Sequence, residues 1–193
     1  MKQIFKWPED FINKIICKDC LKTMPFIPSK SIDMVVCDLP YYEEEGENWY
    51  KTLPVDKLNL QYKRIIKKGG IIVLSVNPIY EAYLIYDNSE MYQYKWNWDD
   101  EDLLFFYDKN NYEYEKIVKN EKLKEKYIKK STCFELFKCL IKIFTKEGGL
   151  VLDNCIGDGA TAIACKELNR KYIGIEIDSK KCKKAKRRLL KNI

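Results

Sequence analysis

Residues 150–162, LVLDNCIGDGATA, decide the fold. An apolar run from Leu150 to Asn154 leads into a turn holding Gly157 and Gly159, and Ala160 to Leu168 then has helical composition. The order is strand, tight turn, helix start. Glycines in such a turn let the backbone approach a ligand closely and open the next helix tightly. Glu176 follows Gly157 by 19 positions and closes the next apolar run, Tyr172 to Glu176. A carboxylate there can accept hydrogen bonds from a ribose diol. The bland alternative is an ordinary β–α turn. A nicotinamide dinucleotide is a rival ligand, disfavoured because the motif opens the last βαβ unit and leaves no second mononucleotide half after it.

Reading outward, the chain alternates β and α. Ile15 to Cys17 and Ile32 to Cys37 read as strands, and the second leads into Asp38. Val55 to Lys67 has helical spacing through Leu58, Tyr62, Ile65 and Ile66, with Gly69-Gly70 expected to stop the helix before a strand, Ile71 to Val76. Such fully apolar runs suit a sheet covered on both faces. Pro78 can open another helix. Tyr92 to Trp98 and Leu103 to Tyr107 are candidates for paired strands. Lys109 to Lys130, polar and without clear period, reads as a surface excursion or a mobile helix, and Phe134 to Phe144 as a strong amphipathic helix. Repeated β–α units imply an α/β fold: a mostly parallel sheet with helices on both faces and right-handed crossovers.

The 193 residues, 46% of them hydrophobic, suffice for one buried core, so residues 1–193 are expected to form a single domain. No run of about 18 apolar residues occurs, so no membrane partner is expected. The start, MKQIFKWPEDF, lacks a signal-peptide core, which with eight cysteines points to a reducing cytoplasm. Cys17 and Cys20 form one CxxC, but there is no second pair and no histidine, so structural cysteine is favoured over metal or redox use. The absence of histidine also excludes a Ser–His–Asp hydrolase and imidazole catalysis. The net charge is +6, yet residues 179–193 alone carry eight Lys or Arg and no acid. That tail reads equally as a nucleic-acid contact or as the solvated face of a last amphipathic helix.

Asp38-Leu39-Pro40-Tyr41 stands at the end of the Ile32–Cys37 run. Ligands of open α/β sheets bind beyond the carboxyl ends of strands. Asp38 and the Leu39 carbonyl can accept the two hydrogens of a planar amino group, Pro40 stiffens the turn, and Tyr41 can stack on a ring. A generic strand-to-loop turn is the plain alternative.

The tetrapeptide followed by the Gly157/Gly159 turn resembles the permuted β-type family of DNA amino-methyltransferases, whose pattern is Asp/Asn/Ser-Pro-Pro-aromatic and which modify adenine N6 or cytosine N4. Leu in second place is similar to bacterial and phage adenine enzymes. The resemblance covers most of the chain: NKIICKDCL (13–21), QYKRIIKKGGIIVLS (61–75), MYQYKWNW (91–98) and, closest, 150–178. It implies a Rossmann-like methyltransferase fold with S-adenosylmethionine as cofactor and DNA as partner, and it admits a restriction-modification or phage-system partner. Asp38, Leu39, Pro40 and Tyr41 would be catalytic, and Asp19, Asp153, Cys155, Gly157, Gly159 and Glu176 would shape the cofactor site, with no metal. Target recognition would fall to a short insertion at about 92–131.

Departures from the family pattern are Tyr42 in place of Gly, the acidic run from Glu43 to Glu47, Asp158 between the glycines, and Lys130-Ser131-Thr132-Cys133 where a Lys-Pro pair is usual. They leave open a relative that binds cofactor or nucleic acid without turnover.

Overall fold

The computed structural model describes residues 5–39, 54–76, 91–98, 101–107, 111–128 and 133–191. Pro40, Tyr41, Tyr42, the acidic run from Glu43 to Glu47 and the segment opened by Pro78 lie outside them. The chain runs β1 (Lys14–Cys17), α1 (Cys20–Thr23), a 3₁₀ turn (Met24–Phe26), β2 (Ile32–Asp38), α2 (Val55–Ile65), β3 (Ile66–Val76), β4 (Tyr92–Trp98), β5 (Glu101–Tyr107), α3 (Tyr112–Val118), α4 (Glu121–Ile128), α5 (Cys133–Phe144), β6 (Leu150–Asp153), α6 (Ala160–Glu167), β7 (Lys171–Glu176) and α7 (Ser179–Lys191).

The strands form one seven-stranded sheet in the order β1-β7-β6-β2-β3-β5-β4. Pairing is parallel from β1 to β3 and antiparallel between β3 and β5 and between β5 and β4. The sheet is therefore mostly parallel, and Tyr92–Trp98 and Glu101–Tyr107 do pair. Apolar side chains alternate between its faces, as the pleat requires. Met34, Val36, Ile71, Val73 and Phe105 point into a core with α5, α6 and α7. Val35, Cys37, Ile72, Leu74 and Phe106 point into a second core with α2 and Phe11, Met24 and Ile27. Continuous apolar runs were the signal for this, since both faces of each central strand are covered.

Two expectations change. The α2 helix ends at Ile65, because Ile66 turns extended (φ −67, ψ 136) and pairs with Ile32. Gly69-Gly70 lie inside β3 rather than stopping the helix. Between the Ile32↔Ile66 and Met34↔Ile71 pairs, two steps along β2 face five along β3. The glycines absorb the excess: Gly69 takes φ +76, and a Cβ on Gly70 would stand 2.8 Å from the Asp33 carbonyl. The polar stretch before α5 folds into α3 and α4, with Asn111 capping α3 through the Tyr114 N–H. The Tyr114 hydroxyl donates to the Phe144 carbonyl at 3.1 Å, and Val118 is fully buried, so this segment is docked on the core.

Asp33 ties three strands together at the amino end of the sheet. Its carboxylate accepts the Lys67 ammonium from β3 and the Leu150 N–H of β6, all at 2.8 Å. Asp33→Ala strands the Leu150 amide and is expected to lower the unfolding free energy by about 1–3 kcal/mol. Leu60→Ala, at a side chain 61% exposed, should stay within about 0.5 kcal/mol. Urea titration of both variants measures the contrast.

Candidate active site

Parallel pairing sends the carboxyl ends of β1, β7, β6 and β2 to one rim. Cys17 stands opposite Glu176, Asp153 opposite Gly174, and Val35 of β2 opposite Leu152 of β6. Asp38, the last residue of β2, is thus next door to the glycine turn that follows β6. The chain leaves β2 with the Leu39 N–H bonded to the Ser75 carbonyl at 3.1 Å, and with the Leu39 side chain buried. The tetrapeptide's first half thus ends the strand beside β6, at the rim where the glycine turn begins, and its second half, Pro40 and Tyr41, lies outside the described residues.

The turn itself is clamped from three directions. Gly157 (φ +55) and Gly159 (φ +92) take left-handed backbone that other residues resist. The Gly157 N–H donates to Glu176 Oε2 at 2.8 Å, and the Asp178 N–H to Glu176 Oε1 at 2.8 Å. Each oxygen thereby accepts one backbone donor, and a carboxylate has room for about four such bonds. Nothing would lie closer than 3.9 Å to a Cβ on Gly157, so the backbone is open on that side. Open glycine backbone beside an acceptor carboxylate fits a ribose-bearing ligand.

Asp153 works from beneath. It is buried, its Oδ1 accepts the Cys155 N–H at 3.1 Å and its Oδ2 the Thr161 hydroxyl at 2.5 Å. Burial pushes its carboxyl up to about 7, against those two bonds, and the charge of Asp38 adds to the rise. Asp158, unexplained in the sequence, turns outward to α7. It pairs with Arg188 at 2.5 Å and Lys184 at 3.3 Å. Asp19 caps α1 by accepting the Leu21 N–H at 2.8 Å, two positions beyond the end of β1.

Sequence reasoning missed the polar knot that joins these elements. Tyr62 of α2 donates its hydroxyl to Asn154 Oδ1 at 2.7 Å with both groups buried, and Asn154 Nδ2 reaches Cys155 Sγ at 3.5 Å. The Cys20 thiol bonds Asn154, and the Cys37 thiol bonds Cys155. Burial holds the Tyr62 hydroxyl well above its ordinary value and pushes Cys20 up to about 12, so both stay protonated. A buried tyrosine two turns into a helix signals a core contact; its partner 92 positions away is invisible locally. The CxxC is split between faces: the free thiol of Cys17 lies beside the free thiol of Cys182 on α7, whereas Cys20 joins the Asn154 knot. Among the described residues no cluster of three metal-ligating side chains exists. No described helix is long and apolar enough to cross a membrane.

A family model described as DNA methylase matches residues 86–187. The Haemophilus influenzae type II methyltransferase M.HindIII is 54% identical over 41 residues, 21% of this chain and 13% of that protein. The Streptococcus pneumoniae type II methyltransferase M2.DpnII is 39% identical over 54 residues, 28% of this chain and 20% of that protein. The matching stretches therefore span a fifth or less of those two relatives. Among solved structures, TTHA0409 of Thermus thermophilus, assigned as a DNA modification methylase, superposes with a TM-score of 0.72 at 17% identity, covering 93% of this chain and 95% of that one. Its complex with S-adenosyl-L-methionine gives a TM-score of 0.70. At that identity the likeness speaks for the fold.

Two outcomes follow from the buried groups. Tyr62→Phe leaves Asn154 Oδ1 without this donor and is expected to cost about 1–3 kcal/mol in a denaturant titration. Asp153 has a folded value of about 7, above its ordinary 3.8. The folded state therefore holds more protons between those values, and this group's contribution is complete below about pH 4 and lost as pH rises through about 7. Stability should fall by up to about 1 kcal/mol per pH unit across that window. Asp153→Asn, which keeps an acceptor for Cys155, should flatten the slope in melting curves taken from pH 5 to 8.

Proposed function

The chain belongs to the N6/N4 DNA methylase family, and from that membership we propose that it transfers a methyl group from S-adenosylmethionine to the exocyclic amine of a DNA base, adenine N6 before cytosine N4. One observation carries the proposal: Asp38 and the Gly157/Gly159 turn end adjacent parallel strands at one rim. Leu in the second position of the tetrapeptide favours adenine.

In this reading the rim between β1 and β6 takes the cofactor. Glu176 accepts the ribose hydroxyls on its remaining lone pairs, the glycine backbone lies against the ligand, and Asp19 and Cys155 border the pocket. Asp153 holds the turn through Cys155 and Thr161. When bound, S-adenosylmethionine supplies an already activated sulfonium methyl. The rest is done by the chain's own groups. An exocyclic amine is a poor nucleophile because its lone pair is conjugated into the ring. The Asp38 carboxylate and the Leu39 carbonyl accept its two hydrogens, which draws the nitrogen toward tetrahedral geometry and stabilises the positive charge that grows on it. Leu serves as well as Pro here, because the acceptor is the main-chain carbonyl. Holding the amine in line accounts for much of the acceleration. A base inside a duplex must leave the stack, and Tyr41 holds the flipped ring by stacking. Target recognition belongs to residues 92–131, whose strands extend the sheet beyond β3 and whose helices α3 and α4 follow.

Labelled methyl transfer tests this directly. With the labelled cofactor and DNA, RNA and protein supplied separately, label is expected in DNA, with base analysis giving N6-methyladenine. Asp38→Ala should lower the rate by about 100-fold or more and leave cofactor binding intact. Cofactor binding without label in any polymer would instead mark a relative that has lost turnover.

A further inference from the structure

The chain's positive excess sits on one helix. Residues 179–193 hold 8 of its 35 Lys and Arg and none of its 29 acids, so the remainder is slightly acidic. Those eight cations lie on α7, among them two of the chain's four arginines. The helix has an inner side: Cys182 and Ala185 are buried and Leu189 packs against the core. Its position is set by the glycine turn, since a Cβ on Gly159 would fall 2.9 Å from Ala185 Cβ.

Two of the cations are consumed by Asp158, namely Lys184 and Arg188. At 100° per residue, Lys180, Lys183, Arg187 and Lys191 fall on the side opposite Cys182 and Ala185. All four are exposed; Lys180 stands beside Asp178, to which its backbone N–H donates at 2.6 Å, and no ion pair within 4 Å holds the side chains of Lys183, Arg187 or Lys191 among the described residues. The helix is about 20 Å long at 1.5 Å per residue, and duplex DNA presents a phosphate charge about every 1.7 Å along its axis. The rim, by contrast, carries the acids Asp19, Asp38 and Glu176, with Asp153 buried beneath them, so attraction for a polyanion must come from elsewhere. α7 packs on β1 and β7, and β1 is three strands from β2. At about 4.8 Å per strand β1 lies about 15 Å across the sheet from β2, and the helix layer adds about 10 Å perpendicular to it, so α7 still lies within one turn of duplex, about 34 Å. Cys182, Ala185 and Leu189 are turned inward and Leu190 is the one large apolar side chain this helix exposes, so a membrane surface has little to bind.

We propose that the outer face of α7 (Lys180, Lys183, Arg187 and Lys191) docks the phosphate backbone of duplex DNA beside the site. The proposal rests on the reading of DNA as substrate. The face is a positioning surface, independent of base sequence, fixed to the cofactor turn through Asp158.

The test compares Lys183→Gln/Arg187→Gln/Lys191→Gln with a control of equal charge at the amino end of the sheet, Lys142→Gln/Lys146→Gln/Lys171→Gln, all exposed positions. Affinity for a duplex of about 25 base pairs is measured against salt, alongside methyl-transfer kinetics and cofactor affinity. The α7 variant should bind about tenfold more weakly near 0.1 M salt, with a salt slope smaller by about 2–3. Its KM for DNA should rise in step, while kcat at saturating DNA and cofactor affinity stay unchanged. The control should change less than about twofold. Equal losses in both variants, or no loss in the α7 variant, overturn the proposal, as does stronger α7-dependent binding to an RNA duplex. A wild-type chain that methylates DNA while the α7 variant behaves identically rejects only the docking surface. A wild-type chain that methylates no DNA rejects the functional reading and the partner assigned to α7 with it.

Discussion

Met34 against Val151 and Val35 against Leu152 are the pairs on which the site depends. They bring two distant parts of the chain into neighbouring parallel strands, and Asp33 pins the register by accepting the Leu150 N–H from 117 positions away. Parallel strands end at the same rim, so once β2 lies beside β6 the acid that closes β2 and the glycine turn that follows β6 must be neighbours. The sheet also needs both faces covered, and α2 with the N-terminal segment on one side and α5, α6 and α7 on the other supply that cover. The site is thus a consequence of strand order, not of any long-range loop.

The rim's electrostatics divide by depth. Asp153, at the bottom, is held by the Cys155 N–H and the Thr161 hydroxyl, and burial raises its carboxyl toward neutrality. Glu176, nearer the surface, spends one bond per oxygen on the turn and keeps acceptor capacity. Asp158 faces away from both, into the cations of α7. An acid within the glycine turn is therefore accommodated without adding a further carboxylate to those already at the rim. The same contact makes the turn and the basic helix one mechanical unit.

The cysteines act as small buried groups that fill and link. Cys20, Cys37 and Cys155 meet around Asn154, while Cys17 and Cys182 meet on the other face of the sheet. Burial raises the Cys20, Cys37 and Cys182 thiols and keeps them protonated, which suits a weak hydrogen-bonding role and disfavours metal or nucleophilic use of those three. Through Tyr62 and Asn154 the knot couples α2 to the start of the glycine turn.

The α/β alternation, the acid at the end of β2, the two-glycine turn and the carboxylate at Glu176 were all legible in the sequence, because run length, apolar periodicity and glycine placement are local properties. Gly69-Gly70 misled for the same reason: they look like a helix stop, and only pairing of Ile66 with Ile32 turns them into a bulge within a strand. Strand order, the partners of Asp158 and Tyr62, and the parting of Cys17 from Cys20 were decided by the tertiary structure alone. Each depends on which elements are packed side by side, and that is set by covering both faces of one sheet rather than by any neighbour along the chain.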